Sequence, residues 1–258
     1  VALGDGTVQV SAAQTDEHGN LGVSSSDSFE LDTVAPVADI AAADDVASTG
    51  VVTDADAGGA VTVTVSFDED MDQSVIPTLS LSPDVTSSLA PVEVSPGVVG
   101  QWTGARTFVA EYTVTDDEVD VNAVSIGVSG AKDVAGNVQA TYAAETEFNI
   151  DTLNPDVVTY SSSIISPNLT DGVSSDADRI VEYTVDFSEP VQSVVATDIS
   201  VTGGSLITET LQLNEAGTQA VFRVEANDNS EESLVVSVLG TVKDLEGNAL
   251  VVSESAPV

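Results

Sequence analysis

The chain has no cysteine, one histidine (His18), one tryptophan (Trp102) and one methionine, and only 5 of its 258 residues are lysine or arginine. Without cysteine there is no disulfide and no thiolate to serve as nucleophile or metal ligand. A single histidine cannot furnish a histidine-based zinc site. A Ser/His/Asp triad would have to be built around His18, which sits in a polar turn beside Glu17 and reads as an exposed residue. No apolar run approaches the ~18 residues of a membrane-spanning helix. The opening segment, residues 1–33, carries neither a basic leader nor an apolar stretch, so no signal peptide is expected in it.

Acid replaces what base lacks. Forty-three Asp and Glu residues bring the formal net charge to -38. Such a field repels nucleic acid and anionic lipid surfaces, so neither nucleic-acid binding nor direct membrane insertion is expected. It suits a saline exterior in which screening tames self-repulsion, and the expected location is extracellular, at a cell surface. Disorder does not follow, because 42% of the residues are hydrophobic. Aromatic residues contribute only 4%, which suits several thin cores better than one thick one.

Period-two alternation is the dominant pattern. It runs through Val61-Thr-Val-Thr-Val-Ser-Phe67 and Ile180-Val-Glu-Tyr-Thr-Val-Asp-Phe187, and again near 107–114, 119–128, 220–224 and 234–238. Gly, Asp, Asn, Ser and Pro clusters separate these runs at intervals of about 8–12 residues. No apolar stripe of helical period has useful length. The expected fold is all-β, with tandem immunoglobulin-like β-sandwiches in single file.

Internal repetition sets the organisation. Phe29-Glu-Leu-Asp-Thr-Val-Ala-Pro36 returns as Phe148-Asn-Ile-Asp-Thr-Leu-Asn-Pro155, and Val65-Ser-Phe-Asp-Glu69 as Val185-Asp-Phe-Ser-Glu189. Lys132-Asp-Val-Ala-Gly-Asn137 returns as Lys243-Asp-Leu-Glu-Gly-Asn248, with Asp16-Glu-His-Gly-Asn20 as a looser third copy. Three motifs recurring in one order define a unit of about 110–120 residues, near the size of one immunoglobulin-like sandwich. The expected divisions are 1–33, the closing strands of a preceding domain; 34–152, a complete domain; and 153–258, a domain lacking its last strand.

These motifs resemble the bacterial Ig-like tandem repeats of giant surface adhesins, including the repeat-in-toxin and biofilm-associated adhesins. Asp-Thr-x-x-Pro at the joints, Phe187-Ser-Glu-Pro-Val191 after the second strand and Asp-x-x-Gly-Asn before the last carry the resemblance. It implies an extracellular stalk, often stiffened by calcium, that holds a binding region away from the cell. Residues 34–152 depart from the pattern at Phe67-Asp-Glu-Asp-Met71, where acid stands in place of proline, and at the insertion-like stretch 82–106.

An immunoglobulin-like sandwich gathers its loops at two poles. For 34–152 one pole collects Asp32, Asp68, Glu69, Asp70, Asp72, Asp133 and Asn137, and for 153–258 it collects Asp151, Glu189, Asp244 and Asn248. The opposite pole of 34–152 offers Asp54, Asp56, Asp116, Asp117, Glu118 and Asp120. Like charges about 4 Å apart repel by roughly 4 kcal/mol at an effective dielectric of 20, a cost that a bound cation removes. Calcium accepts six to eight hard oxygens in flexible geometry and suits such a set better than magnesium. The expected metal ligands are Asp32, Glu69, Asp133, Asn137, Asp151, Glu189, Asp244, Asn248, Asp54, Asp56 and Asp117, and the expected cofactor is structural Ca2+. Two alternatives stay open: that the acids are only a solvated surface, and that Asp133 and Asp244 serve only to form turns. Lys132 and Lys243 are placed to neutralise part of each turn.

No nucleophile–base set can be assembled, so catalysis is not expected. The first functional reading is an adhesin or fibre extender whose partners are neighbouring Ig-like domains, with surface glycan or protein bound through other regions. The second is a self-assembling filament or surface-layer subunit joined by strand complementation. The third is a carbohydrate- or protein-binding module centred on residues 82–106, with Trp102 either a sugar platform or a plug for a thin core. Asn168-Leu-Thr170 reads as a weak glycosylation sequon.

Overall fold

A computed structural model describes residues 5–44, 50–165, 180–227 and 233–255. The sequon at 168–170 lies outside the described residues. In chain order the strands are Gly6–Ala12 (β1), Ser25–Leu31 (β2), Ala38–Asp44 (β3), Val51–Thr53 (β4), Ala60–Phe67 (β5), Thr78–Ser82 (β6), Leu89–Pro91 (β7), Glu93–Ser95 (β8), Val98–Val99 (β9) and Gln101–Trp102 (β10). They continue as Thr107–Val114 (β11), Asp120–Ser129 (β12), Glu145–Asp151 (β13), Val157–Ile165 (β14), Ile180–Phe187 (β15), Ile199–Thr202 (β16), Gly204–Leu213 (β17), Gln219–Ala226 (β18), Val235–Val238 (β19) and Ser253–Glu254 (β20). The only helical turns among the described residues are two short 3-10 segments, Asp54–Asp56 and Ala196–Asp198. The protein is all-β, built as β-sandwiches.

Two compact units divide the chain: Val1–Gly50, Gly58–Thr115 and Asn122–Asn149 form the first, and Val51–Ala57, Asp116–Val121 and Ile150–Val258 the second. In the first, β10–β11–β5–β3 make one sheet, with β7 also on β11, and β13–β12–β6 lie side by side in another. In the second, β14–β15–β18–β17 face β16–β19–β20. All pairings given for these sheets are antiparallel, as hairpins and short crossovers require.

The alternation read from sequence becomes the inside and outside of each sandwich. In β5, Val61, Val63, Val65 and Phe67 are buried while the residues between them turn outward. In β15 the inward set is Val181, Tyr183, Val185 and Phe187. Tyr183 stacks on Phe222 with ring centroids 5.8 Å apart, and both side chains are fully buried. The repeated phenylalanines differ in surroundings. Phe148 on β13 is 3% exposed, whereas Phe29 on the β1–β2 hairpin is 51% exposed.

Replacing Phe222 by alanine should remove about 3–5 kcal/mol of stability, and Phe148→Ala a similar amount. Phe29→Ala should change stability by less than about 1 kcal/mol. Urea unfolding of the three variants checks the ranking, and equal losses at Phe29 and Phe148 would contradict it.

Candidate metal centres

Each Asp-x-x-Gly-Asn turn is a compact hydrogen-bonded knot. The Asp133 amide donates to the Asn137 carbonyl at 3.1 Å and the Gly136 amide to the Asp133 carbonyl at 3.1 Å. Gly136 and Gly247 adopt φ of +96° and +107°, a left-handed backbone that glycine alone takes without strain. One carboxylate oxygen then closes the knot. Asp133 Oδ1 accepts from the Asn137 amide at 2.8 Å, and Asp244 Oδ1 accepts from the amides of Glu246, Gly247 and Asn248. Asp133 is 1% exposed and Asp244 fully buried. Both aspartates therefore form turns, with Oδ2 left to the side-chain amide of the asparagine that ends the turn.

The asparagines link each turn to the connecting segment before the sandwich. Asn137 Nδ2 donates to Asp133 Oδ2 at 2.7 Å and to the Asp32 carbonyl at 3.2 Å. Asn248 Nδ2 donates to Asp244 Oδ2 at 2.8 Å and to the Asp151 carbonyl at 2.9 Å. Asp32 and Asp151 are themselves folded back, each Oδ1 accepting the amide two residues on, from Val34 and Leu153. Asn248 Oδ1 also accepts the Asp54 amide at 3.0 Å.

Two carboxylate sets result. In the first unit Asp32, Glu69 and Asp133 each present an oxygen, all within 4.8 Å of one another. In the second unit Asp151, Asp244 and Glu246 do the same. Glu189, on the loop after β15, faces this second set. Burial, followed by the charges of Asp151, Asp244, Asp120 and Glu246, raises its carboxyl from 4.5 to about 7. Burial above all, with Asp244, Asp120 and Glu246 adding to it, raises Asp151 from 3.8 to about 6. Glu69 is raised too, by burial first and then by Asp32 and Asp133. Among the described residues, Glu189 Oε1 and Asp54 Oδ1 are buried oxygens with no hydrogen-bond partner. Neither Lys132 nor Lys243, both exposed, is ion-paired with another described residue.

The remaining expected ligands separate. Asp54 joins the second unit's acid field, raised by burial, then by Asp116, with Glu118 and Asp244 behind. Asp56 caps its own 3-10 turn, accepting from the Thr53 amide and hydroxyl. Asp117 is exposed and belongs to neither set. Glu246 was not among the expected ligands. Its signal was available, since glutamate stands in the second turn where Ala135 stands in the first.

Residues 82–106 wrap the first unit. The Trp102 ring lies 5.6 Å from Phe67 and 5.4 Å from Phe108, and its Nε1 donates to the Val75 carbonyl at 3.0 Å. Trp102 is thus a plug for the sandwich end. The same stretch helps enclose an apolar groove of about 440 Å³ lined by Leu79, Leu81, Val98, Val99 and Tyr112, among others.

The donor sets hold carboxylate oxygen only, from three segments in the first and two in the second, and the orphaned oxygens of Glu189 and Asp54 lie in the second unit's acid field. That combination fits a hard divalent cation of flexible coordination, calcium before magnesium. It does not suit a soft metal.

Glu189 and Asp151 predict how stability depends on pH. Both hold protons in the folded state that the unfolded chain has released, so without metal stability should fall as pH rises from about 4 to about 7, then level off. Glu189→Gln should remove about half of that slope and leave the part due to Asp151, and saturating calcium should abolish it. Thermal melts in chelator across this range check the sign, and stability that is flat or rising in chelator would contradict it.

No protein-family model matches the chain, and no curated protein matches it. Among solved structures, the chain is similar to one described as a Ca2+-stabilized adhesin that helps an Antarctic bacterium reach out and bind ice, at 18% identity and a TM-score of 0.39. The match covers 98% of this chain and 56% of that one, so the chain spans little more than half its length. A likeness at this level bears on neither mechanism nor ligand.

Proposed function

We propose that the chain is a structural extender of a bacterial surface adhesin or fibre, stiffened by calcium bound at Asp32/Glu69/Asp133 and at Asp151/Asp244/Glu246, with no substrate turned over. One observation carries the reading: each set joins an aspartate of a connecting segment to the turn before the strand that follows, and the lysine of that turn is ion-paired with no described residue. An ion there ties the connecting segment to the sandwich that follows. In the second set Glu189 and Asp54 supply further oxygens from the same acid field. Neighbouring Ig-like domains are the partners, and the location is the cell exterior, where free calcium is plentiful.

A specific observation supports a second reading. The β1–β2 hairpin exposes Val10 and Phe29, while Phe148, the repeat counterpart of Phe29, is buried under its own sandwich. Docking of that hairpin on a second copy would give strand-complemented filaments. Multi-angle light scattering separates the readings, because an extender segment stays monomeric at all concentrations.

Calorimetric titration with calcium should show binding, and chelator should lower the melting temperature and broaden the small-angle scattering profile. Calcium at a hundredfold excess over its dissociation constant adds about 2.7 kcal/mol per independent site. Asp151→Ala should abolish one class of binding event and leave the other. An unchanged melt and profile in excess chelator would contradict the proposal.

A further inference from the structure

The two units hold the loop after their second strand with the same backbone frame. Asp68 N donates to the Val37 carbonyl as Ser188 N does to that of Asp156, and Phe67 N to Arg106 O as Phe187 N does to Thr218 O. Met71 N bonds Ala105 O as Val191 N bonds Gly217 O, and Asp72 N bonds Lys132 O as Gln192 N bonds Lys243 O. Burial follows the same order through 67–71 and 187–191: buried, exposed, half-buried, exposed, buried. One position breaks the identity. The second loop has Pro190 after its glutamate, where φ is fixed by the ring. The first has Asp70, whose Oδ1 accepts from Arg106 Nε at 2.6 Å, while Arg106 Nη1 donates to the Asp68 carbonyl at 2.8 Å.

We infer that Arg106 is the positioning residue of the first carboxylate set: clamped on Asp70 and on the Asp68 carbonyl, it holds Glu69 toward Asp32 and Asp133 by charge, as the ring of Pro190 holds Glu189 covalently. The inference rests on the calcium reading for its effect on affinity, but the clamp itself does not need the metal. Arg106 and Asp70 have side chains 55% and 60% exposed, so salt screens the clamp, whereas salt leaves a proline ring untouched. Salt screens the attraction of a cation to either set, and the first set is therefore the more salt-sensitive of the pair.

The sign of one mutation separates positioning from plain electrostatics. Arg106 is a cation beside a cation site, so if charge alone mattered, Arg106→Ala would tighten calcium binding. Positioning requires the opposite, a weakening of about three- to tenfold at the first set with the second unchanged. Asp70→Pro added to Arg106→Ala leaves net charge as in the parent and installs the proline of the other loop. The Asp70 amide donates no hydrogen bond among the described residues, so the ring displaces none.

Calcium calorimetry on the whole chain, at low and high salt, is the test. The expected result is weakened first-set binding in Arg106→Ala, recovery in the double variant, and a steeper salt dependence at the first set in the parent than in the double variant. Tighter or unchanged binding in Arg106→Ala, or no recovery, overturns the inference. Should the parent bind no calcium, the calcium reading fails by itself. Hydrogen exchange in residues 67–72 in chelator then decides the clamp: faster exchange in Arg106→Ala, reversed in the double variant, upholds it, and no change overturns it.

Discussion

Carboxylates brought together in excess of any counter-charge are the constraint on which the rest of the structure depends. Each sandwich closes its last hairpin with a buried aspartate, and each places a second aspartate from the entering segment and a glutamate from another loop against it. In partly dry surroundings such groups either take up protons or require a cation. The raised carboxyls of Glu189 and Asp151 are the first response, and the proposed calcium ion would supply the second. Some acids elsewhere on the chain shift the other way. Asp72, Asp84 and Asp186, each hydrogen-bonded to nearby hydroxyls or amides, are held below the usual carboxylate range.

Turn formation leaves the proposed metal role open to the same residues because the backbone amides occupy one carboxylate oxygen and leave the other. One oxygen of Asp244 is consumed by three backbone amides, and this fixes the direction of the other. The asparagine that follows donates to that aspartate and to the entering segment, so the turn is docked on the chain before any ion arrives. An ion bound there meets oxygens already in place, which lowers the ordering cost of binding. The choice posed by the sequence, turn-former or ligand, is therefore not exclusive.

Period-two alternation made the sheets legible, since burial of alternate residues from Val61 to Phe67 is a local property of an extended chain. The Asp-x-x-Gly-Asn turns were legible for the same reason: glycine at positive φ and a capping aspartate act within five residues. Contacts between distant segments were not. The Arg106–Asp70 pair spans 36 positions, and nothing local marks Arg106 as the partner of an acid loop. Asp116, Asp117 and Glu118 are adjacent in sequence, yet Asp116 and Glu118 bear on Asp54 while Asp117 does not, a matter of loop direction that spacing does not carry. Trp102 could be read as platform or plug until its two aromatic neighbours, Phe67 on β5 and Phe108 on β11, were in place.

The most direct test is a crystal structure of the chain grown in millimolar calcium, with anomalous scattering used to identify the ion. The account predicts calcium held by Asp151, Asp244 and Glu246, and by Asp32, Glu69 and Asp133, each shell completed by carbonyl or water oxygens. Ordered water alone between fully formed carboxylate sets, with no anomalous peak, would contradict it.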